Sequence, residues 1–529
     1  MESLKFTNLD AVTAYPKLKT LAESPVNLRE SLTPERIEGY TAPAGGGLTY
    51  SYAAKLVDPR VLTVLQELTD EQELIPKYRA LAGGERMNTG EDRMVLHHLC
   101  RGRLGAKVEE EGVDKELFYT EQKERFFDFA RRVHDGRVKG STGKKFETVV
   151  QIGIGGSDLG PRALYLALEN YAAVEGRQYL KAEFISNVDP DDASAVLSRL
   201  DFETTLFVLV TKSGTTQETL TNRDFVFRRL EEDSIPGFEP KDHMVAVASK
   251  SSPLARSSEF AASFFIDDSI GGRYSSTSAV GGVILSLAFG PEIFDELLHG
   301  AHEADTIALN TEIVGNGALL DALIGVFERT FLGFPATAVL PYSQALLRFP
   351  AHLQQLDMES NGKRVNRFAE PILYPTGPVL FGEPGTNGQH SFYQLLHQGT
   401  EIVPLQFVGF KNSQLGTDIE TDGSTSQEKL NANLAAQIVA FARGKEDANP
   451  NKAFPGGRPS SLLWADKLTP EVLGALLAHF ENKVMFQGFV WNINSFDQEG
   501  VQLGKVLAKE VLSGKTGDRA LAKYFEILS

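Results

Sequence analysis

Short apolar runs alternate with longer amphipathic stretches through most of this chain, and the alternation sets in at Thr148. The run TVVQIGIGG reads as a buried strand and SDLGPRALYLALENY as the helix after it. AEFISNV is a second strand, after which Asp189 and Pro190 supply the cap and first turn of a helix through Leu200. TTLFVLVT followed by TTQETLTNRDFVFRRLEE repeats the unit, and MVAVAS is a further strand. Strand and helix in regular succession predict a parallel sheet covered by helices on both faces.

A second series follows the helical stretch of residues 291–334. TAVLPY reads as a strand, SQALLRFPAHLQQLDMES as its helix with an interruption near Pro350, and PVLFGEPG and IVPLQFVGF as strands flanking a helix near GQHSFYQLLHQG. Thr425 and Glu428 have the spacing of a capping box and open the helix LNANLAAQIVAFARG. ARGKEDANPNKAFPGGRPSS reads as an irregular connection. Residues 1–146 are mostly helical with polar breaks, GERMNTGEDRMVLHHLC being a loop that runs into a helix. The fold class is therefore α/β, with two units that share an architecture without an obvious sequence repeat.

At 529 residues the chain is too long for one ordinary core, and its 42% hydrophobic and 23% charged residues match an average globular protein. The net charge of -17 disfavours nucleic acid and anionic membrane as partners, so an anionic substrate needs a locally basic pocket. Cys100 is the only cysteine, which fits a reducing compartment and leaves no cysteine-rich metal site. The first residues, MESLKFTNLDAVTAYPKL, lack the basic start and apolar core of a secretion signal. The best apolar stretch, Gly317 to Phe334, is broken by Asp321, Glu328 and Arg329, so no membrane span and a cytoplasmic location are expected.

Three segments carry chemistry. In LQQLDMESNGK, Glu359 follows Gln355 by one helical turn at the end of an amphipathic helix, which brings an amide and a carboxylate onto one face. GIGGSDLGP, Gly153 to Pro161, joins strand to helix through glycines, so backbone approaches a ligand closely while Ser157 sits near a helix N-terminus. The third glycine of a dinucleotide fingerprint falls at Asp158, which argues against NAD. TKSGTTQET places Lys212, Ser213, Thr215 and Thr216 around Gly214 ahead of another helix. Hydroxyls, a cation and free N–H groups suit a phosphate monoester; serine and threonine at a helix start are ordinarily caps, but two such loops in one unit favour an anion site.

Taken with GGRYSSTSAVG (Gly271 to Gly281), GEPGTNGQHSFYQLLHQG (Gly382 to Gly399) and FDQEGVQLGK (Phe496 to Lys505), these segments resemble in order and content the glucose-6-phosphate isomerase, or phosphoglucose isomerase, family over nearly the whole chain. The resemblance implies reversible conversion of glucose 6-phosphate to fructose 6-phosphate, in glycolysis and gluconeogenesis, by ring opening and a cis-enediolate. No cofactor and no metal are implied. It further implies a homodimer built of two sugar-isomerase-type domains, each a mainly parallel sheet flanked by helices, with helical N- and C-terminal extensions. Residues 1–120 would then be a mainly helical region packed on the larger domain, 121–290 the smaller domain with the phosphate loops, 291–515 the larger catalytic domain and 516–529 a C-terminal helix.

By the same resemblance Glu359 is the base that carries a proton between C1 and C2, and Arg273 stabilises the enediolate. His390, supplied by the partner subunit, and Lys505, near the ring oxygen, open the ring. Gln355 and Gln498 hydrogen-bond the sugar, while Gly156, Ser157, Thr211, Lys212, Ser213 and Thr216 hold the phosphate. Three departures stand out: Thr211 where many relatives have serine, Ser213–Gly214 within the phosphate loop, and Ser276–Thr277 where many relatives have Leu-Trp. A noncatalytic sugar-phosphate regulator would keep the loops without needing Glu359, His390 and Lys505. An extracellular signalling role and an isomerase that also accepts mannose 6-phosphate are the other readings.

Overall fold

The computed structural model describes residues 4–529, which build two principal sheets with helices packed between and around them. In chain order the strands are β1 (Thr41–Gly45), β2 (Leu48–Ser51), β3 (Thr148–Ile152), β4 (Lys181–Ile185), β5 (Thr205–Val210), β6 (Met244–Ser249), β7 (Ala262–Ile266), β8 (Ala336–Pro341), β9 (Val379–Gly382), β10 (Leu405–Phe410) and β11 (Ser460–Ala465).

The first sheet has the order β4-β3-β5-β6-β7 and is parallel throughout. Every residue of β5 and β6 is buried, which explains their unbroken apolar sequences: helices on both faces leave no solvent side for polar residues. The second sheet has the order β1-β2-β11-β10-β8-β9; β8 to β11 run parallel, and the β1–β2 hairpin adds antiparallel to β11, Trp464 opposite Thr49. Among its parallel strands each sheet sets the second on one side of the first and the third on the other. A crevice is thus expected between β3 and β5 and between β8 and β10, at the strands' C-terminal ends.

The expected strands of both series are present, and the capping box is formed in full, Thr425 accepting from the Glu428 N–H while the Glu428 carboxylate accepts from the Thr425 N–H. Four features depart from the expectation. The N-terminal region is not only helical, since it donates β1 and β2 to the second sheet. Strands β7 and β11 are additional, and the helix that Asp189 caps stops at Leu197. GERMNTGEDRMVLHHLC ends in a short 3₁₀ turn, His97–Cys100, instead of a full helix.

The helix Pro470–Val490 runs through the middle of the molecule, and all its residues but Glu471 are buried. Its charged side chains are matched inside: Glu481 pairs with Arg101, which also pairs with Asp305 at 3.2 Å, and Lys483 pairs with Asp321 at 3.0 Å. The last two helices, Gln502–Leu512 and Arg519–Leu528, bury no residue and leave Leu503, Val506, Tyr524 and Ile527 exposed. Among the described residues no helix is long and apolar enough to cross a membrane.

Candidate active site

The two glycine- and hydroxyl-bearing loops follow β3 and β5, the strands either side of the first sheet's switch point. The first loop packs against the end of β5, where a Cβ on Gly153 would lie 3.2 Å from the Val210 carbonyl oxygen. After β5, Thr211 Oγ1 sits 3.0 Å from Thr216 Oγ1 and accepts from the Gly214 N–H at 3.2 Å. Gly214 has φ +70°, a left-handed conformation that glycine adopts without strain. Ser213, an exposed residue, accepts at Oγ from the Thr215 N–H at 3.2 Å and from the Thr215 hydroxyl at 2.9 Å. Lys212 donates to the carbonyls of Asp268 at 2.8 Å and Ile270 at 2.9 Å, and burial pulls its ammonium below the ordinary lysine value. The cation is thereby held against the segment that leads into Gly271–Arg273.

Gly156 faces Gly272 so closely that a Cβ on Gly156 would lie 2.2 Å from the Gly272 carbonyl carbon. That contact joins the first loop to the 3₁₀ turn Gly272–Tyr274 and so places Arg273, whose side chain is completely buried. Arg273 Nε donates to Ser360 Oγ at 2.6 Å, one terminal nitrogen to Gln498 Oε1 at 2.9 Å and Glu359 Oε2 at 3.3 Å, and the other to the carbonyls of Ser495 at 2.7 Å and Asp497 at 3.0 Å. All five N–H groups of the guanidinium fork are used.

Gln355 and Glu359 share a face, but not on an α-turn. The helix Phe349–Gln354 widens into a π-turn, Gln355–Glu359, a form that recurs at functional sites. Gln355, Glu359 and Gln498 line one cavity of about 1010 Å³ together with Arg348 and Lys363. Lys363 is fixed at its edge, donating to the Glu359 carbonyl at 3.0 Å and pairing with Asp497 Oδ1 at 2.9 Å. The first of these loops adjoins the cavity through Gly155, whose Cβ position lies 3.3 Å from Gln355 Nε2.

Of the expected residues Gln355, Glu359 and Gln498 line the cavity; the buried Arg273 and the phosphate-loop residues Gly156, Ser157, Thr211, Lys212, Ser213 and Thr216 do not, and two others stand apart. His390 is exposed on the 3₁₀ turn Asn387–His390, and Lys505 is exposed on the helix Gln502–Leu512; neither lines the cavity. Ser360, Lys363, Ser495 and Asp497, which hold Arg273 and Glu359 in place, carry no signal of their own in the sequence. Their neighbours in the motifs were the only clue, since a serine or aspartate does not reveal which distant nitrogen it meets.

The chain matches the family profile "Phosphoglucose isomerase" over residues 51–526. It is 59% identical over 538 aligned residues to the glucose-6-phosphate isomerase of Treponema pallidum, covering 99% of each chain. It is 46% identical to the glucose-6-phosphate isomerase of Borreliella afzelii, covering 98% of each. The crystal structure of a glucose-6-phosphate isomerase from Chlamydia trachomatis superposes with a TM-score of 0.92 at 43% identity, over 99% of this chain and all of that one.

Proposed function

The chain belongs to the phosphoglucose isomerase family and interconverts glucose 6-phosphate and fructose 6-phosphate, a step of glycolysis and gluconeogenesis; from that premise we propose how its residues divide the work. Glu359 takes the proton from C2 of the open-chain aldose and returns it to C1, the sugar passing through a cis-enediolate. The observation that carries this reading is the buried Arg273 guanidinium 3.3 Å from Oε2 of Glu359, which lines one cavity with Gln355 and Gln498. A base beside a rigidly held cation suits a reaction in which negative charge develops on oxygens next to the abstracted proton. Neither group has to reorganise, because Arg273 is tied down by protein oxygens on every side.

Substrate phosphate is held at the switch point by Gly156 and Ser157 of the first loop and by Thr211, Lys212, Ser213 and Thr216 of the second. Support comes from the paired loops and from a cation in a chain whose net charge is -17. Grip on that unreactive end positions C1 and C2 against Glu359. Gln355 and Gln498 present amides to the sugar hydroxyls.

Ring opening falls to Lys505 and His390. Lys505 stands one helical turn beyond Val501, which lines the cavity. His390 serves the site of a second copy, an arrangement favoured by its exposure outside its own cavity and by the uncovered apolar side chains of the last two helices. A cytoplasmic setting suits a phosphorylated sugar of central metabolism.

Glu359→Gln tests the assignment. Turnover should fall about 10²- to 10⁴-fold while affinity for a sugar-phosphate inhibitor is retained, measured by coupled assay and by calorimetry. Turnover close to wild type would remove Glu359 from the reaction.

A further inference from the structure

The turn that carries Glu359 has a second acid on its other side. Asp357 is buried at 4% exposure and points away from the substrate cavity, into the large domain between the second sheet and the helix Pro470–Val490. Its Oδ1 meets no donor from the described residues. An uncompensated buried carboxyl oxygen is costly, and native structures ordinarily satisfy such atoms with protein or with water.

Asp357 faces a small cavity of about 20 Å³, lined also by Lys55, Glu328, Gln406, Lys483 and Gln487. One water needs roughly 10–15 Å³ and two to four polar partners, so the space fits one water and little else. The charges around it are already matched. Lys55 pairs with Glu328 at 2.9 Å and Lys483 with Asp321 at 3.0 Å, while His479, 3.1 Å from Asp321, is pushed toward its neutral form by burial. Asp357 is the surplus carboxyl, and burial raises it to about 6. Lys483 also donates to Gln406 Oε1 at 2.9 Å, which with Asp321 accounts for two of its three N–H groups and leaves one for a further acceptor.

We propose that this cavity is a site for a single water, which accepts from the Lys483 ammonium and donates to Asp357 Oδ1, and that Asp357 is thereby a positioning residue for the turn bearing Glu359. The link is short: Asp357 is held below, Glu359 projects above, and only Met358 stands between them. Met358 is itself pinned, its sulfur accepting from the Leu380 N–H at 3.4 Å on β9. Losing the bridge would let the widened turn relax toward an ordinary helical pitch and swing the base away from its substrate.

The inference leans on Glu359 as the base, and failure of that reading shows in Glu359→Gln alone. Failure of this one shows in Asp357→Asn compared with Asp357→Leu. Asparagine keeps an acceptor oxygen for the water; leucine fills the space and removes it. Asp357→Leu should lower kcat by about 10²-fold with KM unchanged, as expected for a misplaced catalytic group, while Asp357→Asn keeps wild-type kcat. A high-resolution crystal structure of the wild-type protein should show a water within hydrogen-bonding distance of both Asp357 Oδ1 and Lys483 Nζ. Wild-type kcat in Asp357→Leu, equal loss in the two variants, or a wild-type cavity without that water would each overturn the proposal. If Asp357→Leu does not fold, the crystal structure and Asp357→Asn decide it.

Discussion

Arg273 combines a fixed charge with a fixed orientation, and its five bonds are not equal. The longest, 3.3 Å, goes to Glu359, and among its side-chain partners only Glu359 and Gln498 line the substrate cavity. Substrate oxygens can therefore take over the outward N–H while the inward bonds hold the fork still. A lysine there retains the charge but not the fork, so Arg273→Lys should lose about 10²-fold in kcat, measured at saturating substrate, with the fold intact by circular dichroism. A different kind of residue effect belongs to Lys77, which is fully buried, donates to Gln72 Oε1 at 3.2 Å and falls to about 7 because burial disfavours its charge. Its folded-state pKa lies below the unfolded one, so the native state binds fewer protons between about pH 7 and pH 10.5 and stability climbs with pH through that window. Lys77→Met should accordingly raise the melting temperature at pH 6, with the advantage shrinking as pH approaches 10. Nothing in the sequence distinguishes Lys77 from the solvated lysines around it, because burial is decided by elements far along the chain.

Among elements, the strands most legible in the sequence are those covered on both faces. TLFVLV and MVAVAS carry a polar residue only at one end, Thr205 and Ser249, and the fold follows from their alternation with helices. Strand β11 is harder to see, since SSLLWA begins with two serines after a proline-rich stretch and is recognisable only by its neighbours β10 and β2. The π-turn is equally hidden: the residues at Gln355 and Glu359 suit an ordinary helical turn, and packing sets the wider pitch. The loops are more predictable than the turn because glycine reports its own constraint. Gly156 and Gly272 meet backbone to backbone, so Gly156→Ala must push the first loop off the Arg273 turn. We expect a drop of about 10²-fold in kcat/KM, the signature of a site displaced by an ångström, with a small change in melting temperature.

Across the molecule, motif order brings Gln355, Glu359 and Gln498 to one cavity with Arg273 bonded to the last two, yet His390 and Lys505 remain outside it. The sequence of one chain does not say which surface of another it will meet. A shared site makes a sharp prediction at this scale. Glu359→Gln and His390→Ala proteins, each nearly inactive, should regain about a quarter of wild-type turnover when equal amounts are unfolded and refolded together, since half the random dimers hold one site with both residues intact. No recovery, with mixed dimers verified by native mass spectrometry, would leave His390 without its part. The hairpin on the second sheet bears on how such a molecule is assembled. Ser51 lies opposite Leu462, so β2 finds its partner only after more than four hundred further residues have been made. A ribosome releasing the chain from its N-terminus leaves that ribbon's outer edge unclaimed for most of synthesis. Its closure is thus a late event in folding, and the interval before it is when a chaperone has most to protect.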